Sequence, residues 1–248
     1  MKQEILGVKI NKINKREALD VVKQCMVLPR MNYFVTPNPE FVVRAQKDEK
    51  FREILNSAML AIPDGFGLIL AAKYLKRPLD KRIQGTDFIW DIANLAEKEE
   101  YTFYLYGAGS GVAKKAAEKL KKKYPNLKIL GAESGYRGKQ ELSDTEVIKD
   151  IKQKKPDILF VALGCPKQEK WIAKYSDSFP GVRLAMGVGG AFDYISGRVK
   201  RAPKFIRKIG LEWLVRLIKQ PWRIKRIYTA TVKFSWLVFK SKKKQGGQ

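Results

Sequence analysis

Six short apolar runs recur along the chain, and stretches of helical periodicity separate them. "NYFVT" (32–36), "MLAIP" (59–63), "TFYLYG" (102–107), "LKILGA" (127–132), "DILFVALG" (157–164) and "RLAMGVG" (183–189) are apolar through most of their length. A strand with one wet face alternates apolar and polar side chains, whereas near-continuous runs suit parallel strands covered on both faces. The separating segments "KREALDVVKQCMVL", "PEFVVRAQKDEKFREILNSA", "FGLILAAKYL", "TDFIWDIANLAEKEE", "GVAKKAAEKLKKKY", "DTEVIKDIKQKK" and "KQEKWIAKYSDS" read as helices. This alternation predicts an α/β fold with a doubly wound, mainly parallel, Rossmann-like sheet over residues 1–195.

After "ISGRVKRAP" the pattern changes. The segment 196–248 has no strand-like run, and Pro221 divides it into two helical pieces. From Arg198 onward, sixteen Lys or Arg stand against a single acid, Glu212, so the tail carries most of the formal charge of +25. Trp213, Trp222 and Trp236 are interleaved with these cations, and charges interrupt every apolar run well short of the ~20 residues that a membrane-spanning helix needs. Two readings are compatible: a helical appendage with a solvated basic face, or an interfacial segment with aromatics at the acyl boundary and cations on anionic headgroups. The terminal "KSKKKQGGQ" is expected to fray.

The rest of the composition excludes more than it suggests. The start "MKQEILGVKI" lacks the apolar core of a secretory signal, and Cys25 and Cys165, far apart in sequence, read as buried thiols in a reducing compartment. There is no histidine, which removes Ser–His and Cys–His catalysis and the commonest metal ligand. With no D-x-D pair either, neither a metal site nor a cofactor is expected. Acid–base work must fall to other side chains, carboxylates first among them.

Several loops could carry chemistry. In "AIPDGFG", Asp64 ends an apolar run and opens a helix, so it is either a helix cap or a catalytic base at a strand end. "YLYGAGSGVA" brings Gly107 and Gly109 to a strand-to-helix turn suited to phosphate, but Val112 stands where the third glycine of a dinucleotide fingerprint belongs. "ALGCPKQEK" places Lys167 and Gln168 in a first helical turn, where a lysine is unfavourable without an anion. "RIQGTD" supplies Arg82 and Asp87, the latter placed as an ordinary N-terminal helix acid, and "TPNPE" supplies Thr36 and Asn38. Three classes remain at this level: an enzyme of anionic substrates, a basic nucleic-acid-binding protein, and a nicotinamide dehydrogenase. The broken fingerprint weakens the last. The absence of any known reader module weakens the second, and nucleic acid is not expected as a partner.

Taken together and in order, "TPNPEFV", "AIPDGFGLILAAK", "RIQGTDF", "YLYGAGSGVA", "ALGCPKQEKWI" and "GVGGAFDYISGRVKRAP…GLEWLVRL…PWRIKR" resemble the WecG/TagA/CpsF family of bacterial glycosyltransferases. The likeness runs from about residue 10 to residue 230. It implies a transferase that moves a sugar from a UDP-sugar to a polyprenyl-diphosphate-linked acceptor on the cytoplasmic face of the membrane, with the protein peripheral there. In the teichoic acid branch the sugar is N-acetylmannosamine, the acceptor is undecaprenyl-diphosphate N-acetylglucosamine, and transfer inverts the anomeric carbon without a metal. Other branches use N-acetylmannosaminuronate or glucose for other surface polysaccharides. The resemblance also puts the general base at Asp64.

With that reaction in view, Thr36 and Asn38 are suited to sugar hydroxyls or an N-acetyl group. Gly107, Gly109, Arg82, Lys167 and Gln168 are candidates around the donor. Arg216, Arg223 and Arg226 of the tail are candidates to clamp diphosphate, since guanidinium binds phosphate in bidentate fashion. The tail would then dock on the membrane and complete the active site.

Overall fold

The computed structural model describes residues 1–137, 140–141 and 144–245. Its ten strands, in chain order, are β1 (Lys2–Ile5), β2 (Val8–Asn11), β3 (Asn32–Val35), β4 (Leu60–Ala61), β5 (Phe103–Gly107), β6 (Ile129–Glu133), β7 (Tyr136–Arg137), β8 (Gln140–Glu141), β9 (Ile158–Ala162) and β10 (Leu184–Gly187). Six of them form one parallel sheet in the order β4-β3-β10-β9-β5-β6, and they are the six expected from their apolar runs. The other four pair as two antiparallel hairpins, β1–β2 and β7–β8.

Alternation along each strand divides the core into two sides. Phe34, Phe103, Leu105, Ile158, Phe160, Leu184 and Met186 join the helices Lys15–Val27, Gly85–Lys98, Val112–Lys123 and Ala191–Ile195. Tyr104, Tyr106, Leu159, Val161 and Ala185 face the other way, against Asp144–Lys154 and Lys167–Lys174. On that side Val35 and Ala61 meet the hairpin β1–β2 and the helices Pro39–Ala45, Glu49–Ser57 and Phe66–Tyr74. The sheet is thus doubly wound, as the sequence pattern requires.

Two elements differ from expectation. The stretch 39–58, read as one helix, breaks in two because Asp48 caps a second start and accepts from the N–H of Phe51 at 3.0 Å. The tail is more helical than expected at its end: residues 240–245 continue the helix Phe234–Gln245, while 246–248 lie outside the described residues. Pro221 does interrupt the tail, between the helix Glu212–Lys219 and a short turn Pro221–Arg223. The tail also contributes to the core, where Phe234 and Val238 are buried among residues of the hairpin and the helix Pro39–Ala45.

Candidate active site

β3 and β10 are neighbours, yet the chain leaves them toward opposite faces. The helix Pro39–Ala45 after β3 packs on one side of the sheet and the helix Ala191–Ile195 after β10 on the other. Such a divergence opens a crevice at the carboxyl ends of the strands, the usual ligand position in open α/β sheets. Asp64 stands at this edge, after β4, with its N–H donating to the carbonyl of Pro37 in the loop after β3 at 2.9 Å.

The geometry bears on one of the two roles open to Asp64, that of a cap on the helix it precedes. The helix that follows begins at Phe66 with Gly65 as its N-cap, and no side chain caps it. The carboxylate instead faces Gly85, the first residue of the helix Gly85–Lys98, whose Cβ, if present, would lie 4.0 Å from Asp64 Oδ2 and 3.6 Å from Thr36 Cγ2. Desolvation pushes the Asp64 carboxyl up to about 6, against the opposing pull of Arg82 and the N–H groups of Gly85 and Gly65. Thr36, Asp64 and Arg82 therefore share one corner. Asn38 adjoins it, but its Oδ1 caps the helix Pro39–Ala45 by accepting from the N–H of Phe41 at 3.2 Å.

The tail crosses the crevice from bank to bank. On the β3 bank, Arg226 forks onto Glu40 with Nε and Nη2. On the β10 bank, Arg216 lies over the ring of Tyr194 at 4.9 Å, and its Nη2 is 2.7 Å from where a Cβ of Gly190 would be. Arg223 lies between them in sequence. Burial and the charges of Arg216 and Arg226 push its guanidinium down to about 10. The buried Nε of Arg216 has no hydrogen-bond partner among the described residues. Crowded, incompletely paired guanidiniums are relieved by an anion.

A second set of contacts locks the tail beside Asp64. Arg201 pairs with both Asp87 and Glu212, Arg207 pairs with Asp87 at 3.2 Å, and Gln84 donates to Glu212 at 2.8 Å. The guanidinium of Arg82 donates to the carbonyl of Arg207. Asp87 thus anchors the tail from the first turn of its helix. Sequence reasoning passed over Arg201, Arg207, Glu212 and Glu40, because only the fold brings them together; the tail's excess of cations was the available signal.

The remaining candidates have different surroundings. Gly107 has φ +113°, and a Cβ there would lie 2.7 Å from the backbone of Ala162 on β9, so strand packing alone requires a glycine. Gly109 lies beneath the guanidinium of Arg198, which is exposed. Lys167 is exposed at the start of its helix. Gln168 is only 1% exposed, and its amide bonds inside the protein to Gly164, Gly189 and Glu169. Among the described residues no group of three metal-ligating side chains occurs, and no helix is long and apolar enough to cross a membrane.

Comparison with known proteins gives a consistent result. The model of the "Glycosyl transferase WecG/TagA/CpsF family" matches residues 3–248. The N-acetylglucosaminyldiphosphoundecaprenol N-acetyl-beta-D-mannosaminyltransferase of Bacillus subtilis (strain 168) is 39% identical over 208 residues, covering 84% of this chain and 79% of its own. The protein of the same name from Staphylococcus aureus (strain MW2) is 33% identical over 245 residues, covering 98% of this chain and 94% of its own.

Proposed function

Since the chain belongs to the WecG/TagA/CpsF family of glycosyltransferases, we propose that it transfers N-acetylmannosamine from UDP-N-acetylmannosamine to undecaprenyl-diphosphate N-acetylglucosamine. The names of its relatives supply the acceptor and the sugar. The observation that carries the reading is the crevice itself, with one carboxyl pushed up to about 6 on its floor and guanidiniums spanning it from the tail.

In this reaction the ionised carboxylate of Asp64 takes the proton of the acceptor hydroxyl as that oxygen attacks the anomeric carbon. The bond from that carbon to the UDP oxygen breaks, UDP leaves with the electron pair, and attack opposite the leaving group inverts the centre. Charge building on the diphosphate is met by fixed donors, Arg216 and Arg223 foremost, in place of a metal ion. Arg226 reaches a ligand only by sharing itself with Glu40. The tail, 196–248, is the part that brings the catalytic core, 1–195, to the membrane. Exposed Trp213, Trp222 and Trp236 lie along it among Lys and Arg, which suits a peripheral position on an anionic cytoplasmic leaflet.

The test is a panel of UDP-sugars offered to the purified protein with an undecaprenyl-diphosphate N-acetylglucosamine acceptor. Product from UDP-N-acetylmannosamine alone is the expected result. Product from UDP-glucose or UDP-N-acetylmannosaminuronate instead would move the protein to another branch of the family.

A further inference from the structure

We infer that Glu169 is a positioning residue: it fixes the orientation of the Gln168 side-chain amide, which in turn ties the turn after β9 to the turn after β10. The carbonyl oxygen of Gln168 accepts from the N–H of Gly164 at 3.1 Å and from the N–H of Gly189 at 2.9 Å. One acceptor atom thus joins two loops that belong to different strands. Flipping the amide would turn its NH2 group toward those two N–H groups and break both bonds. The other end selects the orientation, since Gln168 Nε2 donates to Glu169 Oε1 at 2.6 Å.

The surroundings are shaped around this pair. A Cβ on Gly187 of β10 would lie 2.7 Å from Gln168 Nε2 and 2.9 Å from Glu169 Oε1, so the strand has room for the pair only as glycine. Glu169 is 0% exposed, and its Oε2 has no hydrogen-bond partner among the described residues. An aliphatic side chain would avoid that desolvation cost but would leave the buried Nε2 of Gln168 without its acceptor, so the carboxyl is held here by its bond to Gln168.

Burial pushes the group up to about 8, and Oε1 can accept from Gln168 in either protonation state. The charged and titratable groups facing it are Arg44 and Glu40 of the helix Pro39–Ala45, Arg226 of the tail through Glu40, and the half-buried thiol of Cys165. Arg44 opposes the shift and Glu40 adds to it. The turn after β10 carries Gly190, over which Arg216 lies. Holding this turn therefore sets the floor beneath that guanidinium. The catalytic consequence rests on the transfer reaction proposed above, but the tie between the turns does not.

The test is amide hydrogen exchange at Gly164 and Gly189 in the full-length protein and in the Glu169→Gln and Glu169→Leu variants, alongside UDP affinity by calorimetry. Glu169→Leu should speed exchange at these two amides tenfold or more at pH 7, with the central strands unchanged, and weaken UDP binding about tenfold. Glu169→Gln keeps a carbonyl for Gln168 and should stay within about threefold on both measures. Because Oε1 accepts from Gln168 whether or not the carboxyl is ionised, protection at the two amides in the wild type should change between pH 7 and 9 only by the chemical rate. Unchanged protection in Glu169→Leu, or loss spread evenly over the core, overturns the inference. If the Leu variant does not fold, Glu169→Met, closer to glutamate in shape and without an oxygen acceptor, takes its place, and unchanged protection at Gly164 and Gly189 in it overturns the inference. Wild-type protein that shows the exchange pattern but binds no UDP leaves the tie standing and removes the donor assignment.

Discussion

Arg226 and Glu40 form a forked ion pair, with Arg226 Nε 3.0 Å and Nη2 2.7 Å from Glu40 Oε2, and the two residues are 186 positions apart in sequence. Glu40 is 6% exposed and also accepts from Arg44, so the pair fastens the tail to the helix that leaves β3. Arg226→Gln leaves Glu40 with Arg44 alone and should cost about 1–2 kcal/mol, less than breaking a fully buried pair because Arg226 is half exposed. A double-mutant cycle with Glu40→Gln, followed by denaturant unfolding, should show coupling. Additive effects would mean that other contacts hold the tail.

Asp64→Asn should fold and bind UDP yet lose transfer by about a hundredfold or more, the range of a positioned base. Near wild-type turnover would remove Asp64 from the chemistry. Asp87→Asn is the contrasting variant. It frees Arg201 and Arg207 from their shared partner and should lower thermal stability more than turnover.

The pH profile follows from the direction of the Asp64 shift. A base works ionised, and this carboxyl is raised to about 6, so kcat/KM should climb with pH through about 6 and level above it. Stability runs the other way. A carboxyl raised in the folded state contributes stability below its ordinary value near 4, and that contribution is lost as pH rises through about 6. Thermal melts from pH 4 to 7 should therefore fall less steeply for Asp64→Asn than for the wild type.

Transfer should survive excess EDTA, because fixed guanidiniums at the crevice can stabilise the departing diphosphate. Loss of activity on chelation, restored by magnesium or manganese, would assign that work to a metal.

Ending the chain after Gly197 should remove binding to anionic liposomes, since each near-surface Lys or Arg is worth about 1 kcal/mol there. It should also remove transfer to a soluble acceptor analogue, because Arg216 and Arg223 leave with the tail. The shortened protein should melt at a lower temperature than the full chain, as Phe234 and Val238 no longer cover the apolar surface between the hairpin and the helix Pro39–Ala45. Full activity on the analogue would reduce the tail to a membrane anchor.

The sheet strands were legible because each reads as a mostly apolar run, and β4, β5, β9 and β10 are buried on both faces; the edge strand β6, with Leu130 exposed, is not. The hairpin β1–β2 was not legible. Its turn is only Leu6–Gly7, both with positive φ, and the strands are four residues each, too short for alternation to stand out. Asp64 was visible as a carboxylate at a strand end, but whether it caps the next helix was not; the bare N-cap at Gly65 shows that it does not, and it is instead engaged by the N–H of Gly85, twenty-one residues on. Asn38 looked like a sugar contact and its Oδ1 serves as a cap. Gln168 looked like a first-turn ligand and is an internal strut. In both, residue type showed an ability to hydrogen-bond, while the partner depended on loops distant in sequence. Glu40 and Glu169 were hidden in ordinary helical stretches, because burial of a helical glutamate is settled by whatever packs over it.

The crossing of the tail over the crevice has a consequence for biosynthesis. A ribosome makes all six strands and the Asp64 corner before it reaches Arg201, Arg207, Arg216 and Arg226. The span over the crevice cannot close until these residues emerge from the exit tunnel. A stalled or prematurely terminated chain would present the carboxylate without its roof. Under the transfer reaction proposed above, such fragments are expected to be inactive, so the order of synthesis itself would restrict transfer to chains carried through to the tail.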